Sequence, residues 1–392
     1  MSFSVRLKPC KVVMALSAFL AAMPSTCIAQ IFGCTDIMAT NFNPAATQND
    51  GSCLYAPVSR NASLIKTLDA SLNENSALTL IADTLLTIND GGGATSILAI
   101  DTSLGTIIRS HKLRTASNID WEAMCATASY LYVADVGNND GSRTNLCIYK
   151  VYRDSLSSDS SIALRTNFSY EDQTDFSSNS QTKFDCEAVI AIHDTIHLFT
   201  KQWGNHWCTH YKLRSDLAND TARIADSFYV RGLITDASLR ADGQIVLLGY
   251  DTNAQAFIWH LWDYQGDQFF SGNKRRIDLG FSVGQAEGIA WQQDSTLLIS
   301  SERISIFPPN IYRLDTRDIM NWPLKTNTEF TRSLYLANQF IYGNDVKFIK
   351  QVNLLSSSGA ICYNWPSTKA IPPQHFVIVY MQNGERVVLK NF

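Results

Sequence analysis

The chain has 392 residues, 45% hydrophobic and 11% aromatic, and a formal net charge of −4 with acids and bases mixed. That length fits two or three domains, or one large β domain with attachments. The charge balance excludes the basic stripe of a nucleic-acid footprint. The many Tyr, Phe and Trp residues suit strands and substantial apolar burial.

Residues 1–30 read as a signal peptide. Arg6, Lys8 and Lys11 supply the positive region and VVMALSAFLAA the apolar stretch. Small residues precede CIAQ, so cleavage is expected after Ala29 or Gln30. The apolar run is short for a spanning helix and no later run matches it, so no transmembrane segment is expected in the mature chain. Of nine cysteines, Cys10 and Cys27 fall in the leader. Export permits the others to form disulfides, and their odd number leaves at least one thiol over.

Residues 31–55 contain GCTDIMATNFNPAATQNDGSCLY, a patch too poor in apolar residues to build its own core. It needs a crosslink, an ion or both. Cys34 and Cys53 bracket it and are the expected pair. Asp36, Asn41, Asn43, Asn49 and Asp50 offer the hard oxygens that calcium prefers, without EF-hand spacing. The same side chains serve equally to close Asx turns on the backbone.

Residues 56–73 read as a connector with a strand. From about 74 to 330 the chain repeats loosely, with starts near 74, 122, 187, 236 and 287. The repeats are ENSALTLIADTLLTIND, DWEAMCATASYLYVADVGNN, DCEAVIAIHDTIHLFTKQWGN, DASLRADGQIVLLGYD and AEGIAWQQDSTLLISSER, most followed by a strand ending in an aromatic. The one longer step holds a Ser/Asn/Asp-rich insertion, SLSSDSSIALRTNFSYEDQTDFSSNSQT, read as an extended loop plus an outer strand. Short strands at this period predict a β-propeller, because a single blade cannot bury both faces alone. The expected fold class is therefore all-β: a propeller of five or six blades over 56–339, with a small Cys/Asp/Asn-rich N-terminal module and a small C-terminal β domain. Five blades are read directly, and a sixth is assembled from 56–73 and 330–350. A β-sandwich is the alternative. Cys125 with Cys147 and Cys186 with Cys208 share one separation, which predicts a local bridge in each of two repeats or a cross pair of Cys125 with Cys186. In 340–392, Phe376, Ile378 and Tyr380 alternate along one strand. Asn383 and Gly384 fit a tight turn, and Val387 and Leu389 continue on the return strand.

Three segments resemble known families. Gly33, Cys34, Thr35, Asp36, Ala39, Asn41, Asn43, Pro44, Ala45, Asp50, Gly51, Ser52, Cys53 and Tyr55 match a short module of secreted Bacteroidetes-type proteins that looks like a thrombospondin type 3 calcium repeat. GAICYNW, FVIVYMQNGERVVLKNF and Lys390 resemble the last strands of the C-terminal sorting domain of type IX secretion cargo, with YGNDVKF where that domain carries PNP. Asp120, Trp121, Glu122, Asp135, Gly137, Asn138, Asn139, Arg143 and Tyr149 resemble the DWE and DxGNN…R…IY elements of secreted propellers. The resemblance implies export by the type IX secretion machinery to the medium or the outer cell surface. Related propellers include calcium-dependent phosphoester and lactone hydrolases.

The acids at the repeat starts carry the sharpest chemistry. Asp120 and Glu122, Asp185 and Glu187, Asp236 and Glu287 recur at equivalent places, which in a propeller gather around one axis. There they either bond backbone N–H groups of neighbouring blades or share a divalent cation that polarises a phosphoryl or carbonyl group, with His111, His193, His197 and His206 as helpers. Arg143 pairs with Asp135 or grips an anionic ligand. Trp203 and Trp207 are core or a stacking face for sugars or peptides. NDGGG is a flexible turn and not a phosphate loop. No nucleophile elbow or HExxH zinc site is present, and no catalytic residue is assigned.

These features predict a secreted or cell-surface propeller that binds an unidentified extracellular protein, glycan or small ligand at one rim. The alternative is a calcium-dependent phosphoester or lactone hydrolase using axial carboxylates, which requires Glu122, Glu187 and Glu287 around one centre. A structural or adhesion protein is the second alternative.

Overall fold

The computed structural model describes residues 30–280, 285–293, 295–317 and 319, together with strand backbone between 335 and 390. Apart from Gln30, the expected leader lies outside the described residues. The structure is all-β, as expected. The only helical turns among the described residues are short 3-10 segments at Ala70–Leu72, Arg153–Ser157 and Phe269–Ser271. No helix there is long and apolar enough to cross a membrane.

Five antiparallel four-stranded units organise the body. Unit 1 comprises Asn75–Ile81, Thr84–Asn89, Ser96–Asp101 and Thr106–Leu113. Unit 2 comprises Trp121–Ala126, Tyr130–Asp135, Cys147–Tyr152 and Leu164–Tyr170, the last drawn from the Ser-rich insertion. Unit 3 comprises Cys186–Ile192, Thr195–Thr200, Trp207–Arg214 and Asn219–Tyr229. Unit 4 comprises Leu233–Leu239, Ile245–Tyr250, Ala256–Trp262 and Asn273–Asp278. Unit 5 comprises Ala286–Gln293, Thr296–Ser301 and Asn310–Asp315, completed by Ser63–Thr67 from near the start of the chain. The fourth strands of units 2 and 3 pair in parallel, merging these units into one eight-stranded sheet whose end strands lie side by side.

The second strands, TLLTIN, YLYVAD, TIHLFT, IVLLGY and TLLISS, are mostly apolar along their length and almost wholly buried. Such a strand needs cover on both faces. The cover is a neighbouring unit on each side. Separate apolar clusters lie between units 1 and 2 (Ile88, Trp121, Tyr149) and 2 and 3 (Tyr132, Val189, Tyr211). Others lie between units 3 and 4 (Phe199, Ile234, Phe257), 4 and 5 (Leu248, Ile289, Leu297), and 5 and 1 (Leu78, Leu298, Ile311). The first strands adjoin one another in the same order, unit 5 returning to unit 1. Burial falls away outward: the fourth strand of unit 1 is largely exposed.

The sixth repeat expected from 56–73 and 330–350 does not form among the described residues. Ser63–Thr67 closes unit 5, and Val58–Ser59 adds a short parallel edge to unit 4. Tyr335–Ala337 pairs with Phe340–Tyr342, across the boundary expected at 339/340. The C-terminal hairpin strands pair as expected, but with Ile378 opposite Val388 and Tyr380 opposite Arg386, one residue out of step with a two-residue Asn383–Gly384 turn, which would set Tyr380 opposite Val387. Its turn, with Asn383 and Gly384, lies outside the described residues.

The N-terminal module is stapled by the expected Cys34–Cys53 disulfide. It docks on unit 4 through Tyr55, whose ring centroid lies 5.2 Å from that of Trp262. Asn49 Nδ2 donates to Asp263 Oδ2 and Asn273 Oδ1 at 2.8 and 2.9 Å. Gly51 has φ +75°, and a Cβ there would stand 2.3 Å from Ser271 O, so glycine alone fits this close approach.

The other disulfide expectations are corrected. Cys125, Cys147, Cys186 and Cys208 are free, buried thiols. Cys125 and Cys147 flank an intervening strand and belong to clusters on opposite faces of unit 2. Cys186 and Cys208 are divided in the same way in unit 3. Two strand spacings, roughly 9.6 Å, exceed the reach of a disulfide. Cys125 and Cys186 share a cluster but sit four residues out of step on adjacent first strands, roughly 13 Å apart along the strand. Burial pushes the Cys186 thiol up to about 12, which removes it as a nucleophile at neutral pH.

Leu72, fully buried where units 5 and 1 meet, tests this joint. Leu72→Ala is expected to cost about 2–5 kcal/mol, read as a fall in the urea midpoint with an unchanged slope.

Candidate functional site

A bulge interrupts every first strand near its start. The odd residue is Glu122 in unit 2, between Trp121 and Ala123, and Glu187 in unit 3, between Cys186 and Ala188. It is Thr235 in unit 4 and Glu287 in unit 5, while in unit 1 the break spans Ala77 and Leu78. A bulge takes its extra residue out of the strand's alternation and re-aims the side chain. Three glutamates thus occupy equivalent positions, on the adjoining first strands of units 2 and 3 and on that of unit 5, with exposures of only 6%, 4% and 6% for Glu122, Glu187 and Glu287.

Two further sets of residues surround them. Glu74, Asp120, Asp185 and Gln285 immediately precede first strands. Asp90, Lys201 and Glu302 immediately follow second strands and bond back through their N–H to the carbonyls of Glu74, Asp185 and Gln285. One carboxylate oxygen from each of Asp90, Asp120 and Glu122 lies within 4.8 Å of the other two. Gly137 makes room for this group: a Cβ there would lie 2.4 Å from Asp120 Oδ2 and 2.8 Å from Glu122 Oε1. Among the described residues no lysine or arginine forms an ion pair with Asp90, Asp120 or Glu122.

The charges do not rest easily. Burial, then the Asp90 charge beside it, pushes Asp120 up to about 7. Burial and the charges of Glu187, Asp90 and Asp120 hold Glu122 well above the carboxylate range. Burial, then Glu287, Glu74 and Asp90, lifts Glu302 to about 8. Glu287 is also raised, mainly by burial, and its Oε1 is buried without a hydrogen-bond partner. Unit 3 differs. Lys201 Nζ donates to both oxygens of Glu187 at 2.6 Å; burial pulls the ammonium down, but the surrounding acids more than offset this.

Asp236 departs from the expected set. The Glu-equivalent position in unit 4 is Thr235, and Asp236 turns into the interior. Its carboxylate accepts the N–H groups of Ile289 (2.6 Å), Ala237 (2.8 Å) and Leu78 (3.1 Å), tying unit 4 to units 5 and 1. Here the backbone-bonding alternative holds. Asp185 is likewise satisfied, by Asn138 N and Trp203 Nε1, each at 2.8 Å. Buried Asp135 accepts Arg143 Nη2 at 2.7 Å and Asp120 N at 3.1 Å, so the Arg143–Asp135 pair supports the backbone that carries Asp120. Arg143 Nη1 also donates to Gly137 O. Trp203 therefore anchors Asp185, whereas Trp207 is 42% exposed and tilts against Tyr229. His111 bonds Ser158 O and Ser161 Oγ, and His197 bonds His210, so neither acts as a helper to the acids.

In the N-terminal module the side chains named for calcium bond its own backbone. Oδ1 atoms of Asp36, Asn43, Asn49 and Asp50 each accept the N–H two residues on, and Asn41 Oδ1 accepts Leu54 N. Asp36 Oδ2 takes the Tyr55 hydroxyl. Four of these residues close Asx turns, the other use that the sequence offered for them, and Asn41 ties the two ends of the module together.

Asp90, Lys201 and Glu302 were not anticipated. The signal was present: IND, FTK and SSE occupy the same place at the ends of three second strands.

No family model matches the chain, and no curated protein matches it. Three solved structures are similar over most of its length. Hydrazine synthase of Kuenenia stuttgartiensis is 10% identical over 83% of this chain and 98% of that one, with a TM-score of 0.32. A protein of unknown function from Bacteroides caccae is 11% identical over 78% and 93%, with a TM-score of 0.30. PorZ, a surface component of the type-IX secretion system of Porphyromonas gingivalis, is 12% identical over 87% of this chain and 48% of that one, with a TM-score of 0.32. At these TM-scores the likenesses carry no statement about the fold or function of this chain.

Two outcomes follow from the geometry. Raised carboxyls bind protons more tightly in the folded state, so their stabilisation is complete below the unfolded value of about 4 and is lost as pH rises through the folded values. With chelator present, urea midpoints should fall as pH rises through about 7 for Asp120 and about 8 for Glu302. Gly137→Ala should displace both carboxylates it touches and cost about 1–3 kcal/mol by overpacking, read in the same assay.

Proposed function

We propose that this chain is an exported, calcium-dependent hydrolase of a phosphoester or lactone, built on a five-bladed β-propeller. The propeller reading is supported by the cyclic order of the first strands and by the separate apolar cluster between each successive pair of units. On this reading the bulged strand ends face one axis, and 56–339 is the propeller. The leader at 1–30, the module at 31–55 and the sorting-like segment at 340–392 serve export through the type IX machinery, to the medium or the outer cell surface; their sequence likenesses support this.

The observation that carries the metal site is the group of Asp90, Asp120 and Glu122 oxygens, within 4.8 Å of one another and without a paired cation among the described residues. Hard carboxylate oxygens at this density fit calcium, which relieves a like-charge cluster that protons otherwise relieve. When bound, such an ion supplies Lewis acidity towards a phosphoryl or carbonyl oxygen. Glu287, whose Oε1 has no partner, is the group left to accept a proton from water. Asp135 and Arg143 hold the Asp120 backbone, Asp185 is satisfied by N–H donors, and Glu187 is neutralised by Lys201.

A second reading, recognition of a ligand at the rim, rests on Trp207. It overlooks a cavity of about 230 Å³ lined also by Gln202, Asn205, Asp172 and Lys183.

Calorimetric titration of the mature chain with calcium should show binding, weakened roughly tenfold or more by Glu122→Gln. Turnover of bis(p-nitrophenyl) phosphate or dihydrocoumarin should require calcium and be lost in Glu287→Gln while calcium binding persists. Calcium binding without turnover of either probe would leave the rim-binding reading in its place. No calcium binding would remove the metal site altogether.

A further inference from the structure

Unit 3 carries a second feature apart from the acids. The turn between its second and third strands, residues 201–206, and the segment leading into it from unit 2, residues 171–185, border a cavity of about 230 Å³. That is below the roughly 300–1,000 Å³ of a drug-sized site, so it suits one small unit of a ligand. No Leu, Ile, Val or Met lines it, and an apolar anchor of a protein partner would find nothing aliphatic to pack on. Its two charged side chains, Asp172 and Lys183, have opposite sign, so the walls favour a neutral ligand over an ion.

The polar groups are held in place. Gln202 is only 3% exposed. Its Nε2 donates to Thr200 Oγ1 at 3.0 Å and to Thr209 Oγ1 at 2.8 Å, and Thr200 Oγ1 also accepts Thr209 N at 3.0 Å. Gln202 Oε1 has no partner among the described residues and is not sealed from solvent, so this acceptor is left for the cavity that Gln202 lines. The Thr209 hydroxyl, accepting from Gln202, keeps a proton to donate. Asp172 gives Oδ1 to the Tyr211 hydroxyl at 2.9 Å and keeps Oδ2. Asn205 Oδ1 accepts Trp207 N at 2.9 Å, which fixes the backbone of Trp207 and leaves Nδ2 as a donor. The exposed Trp207 indole, tilted against Tyr229, forms the one broad apolar surface of the cavity.

We infer that this cavity binds a neutral sugar, one pyranose unit of a glycan, with its C–H face on the Trp207 indole. Its hydroxyls meet the acceptors Gln202 Oε1 and Asp172 Oδ2 and the donors of Thr209 and Asn205. A sugar hydroxyl both donates and accepts, which matches a wall offering both kinds of group. None of Asp90, Asp120 and Glu122 lines the cavity, so binding here needs no metal. The inference rests on the rim reading above, to which it gives a ligand class.

Saturation-transfer NMR of the mature chain, with chelator present, against glucose, mannose, galactose and N-acetylglucosamine decides the matter. At least one sugar should receive saturation, strongest at the C–H protons of one ring face. Trp207→Phe should keep the binding, and Trp207→Ala should weaken it about tenfold or more. A sugar bound equally well by Trp207→Ala overturns the inference. Should the alanine variant fail to fold, the ring-face pattern in the wild type still decides, and uniform saturation around the ring overturns the inference. A wild-type chain that binds none of the four sugars but binds tryptic peptides of casein, with Trp207→Phe weakening that binding, overturns the inference and leaves the rim reading. Binding of neither overturns both.

Discussion

Neither face of the five sheets can be left in water. A second strand such as IVLLGY offers no polar face, and the interior residues of each sheet divide between two different apolar clusters. A row of such sheets would end in two uncovered faces, each exposing several large side chains at about 1.5–3 kcal/mol apiece. The protein avoids those ends by setting unit 5 against unit 1 through Leu78, Leu298 and Ile311. It also completes unit 5 with Ser63–Thr67, so chain segments far apart in sequence are hydrogen-bonded within one sheet.

Charge follows from that closure. Each first strand begins at the same end of its sheet, and the bulge turns one residue out of the ladder there. Glutamates separated by more than sixty residues therefore become neighbours, in surroundings that disfavour ionisation. The fold meets the resulting cost in different ways at different positions. Asp236 takes three backbone N–H groups, Asp135 takes Arg143, and Glu187 takes Lys201. Asp90, Asp120 and Glu122 receive no side-chain cation among the described residues, and burial with mutual repulsion raises Asp120 and Glu122 above the carboxylate range.

The scaffold around that corner is specific. Gly137 lies in the DVGNN stretch because the Asp120 and Glu122 carboxylates occupy the space of its missing side chain. The Arg143–Asp135 pair, anticipated from the residues, supports the same backbone. The N-terminal module, by contrast, uses its Asp and Asn oxygens to close its own turns and its Tyr55 to dock on Trp262, which makes it a fixed appendage of unit 4.

Local pattern determined the all-β class, the five repeat starts, the strand supplied by the Ser-rich insertion, the Cys34–Cys53 staple and the glutamates that matter. Each of these depends on periodicity, turn chemistry or proximity along the chain, which a sequence displays directly. Tertiary structure alone decided that four cysteines stay apart, because which face a strand residue takes depends on register and bulges. It also decided that Thr235, and not Asp236, matches the glutamates, because one extra residue shifts every side chain after it. The partnership of Asp90 with Asp120 and Glu122, and of Lys201 with Glu187, likewise came from the fold: a charge is recognised as isolated or compensated only when its neighbours in space are known, and those neighbours come from other strands and, for Asp90, from another unit.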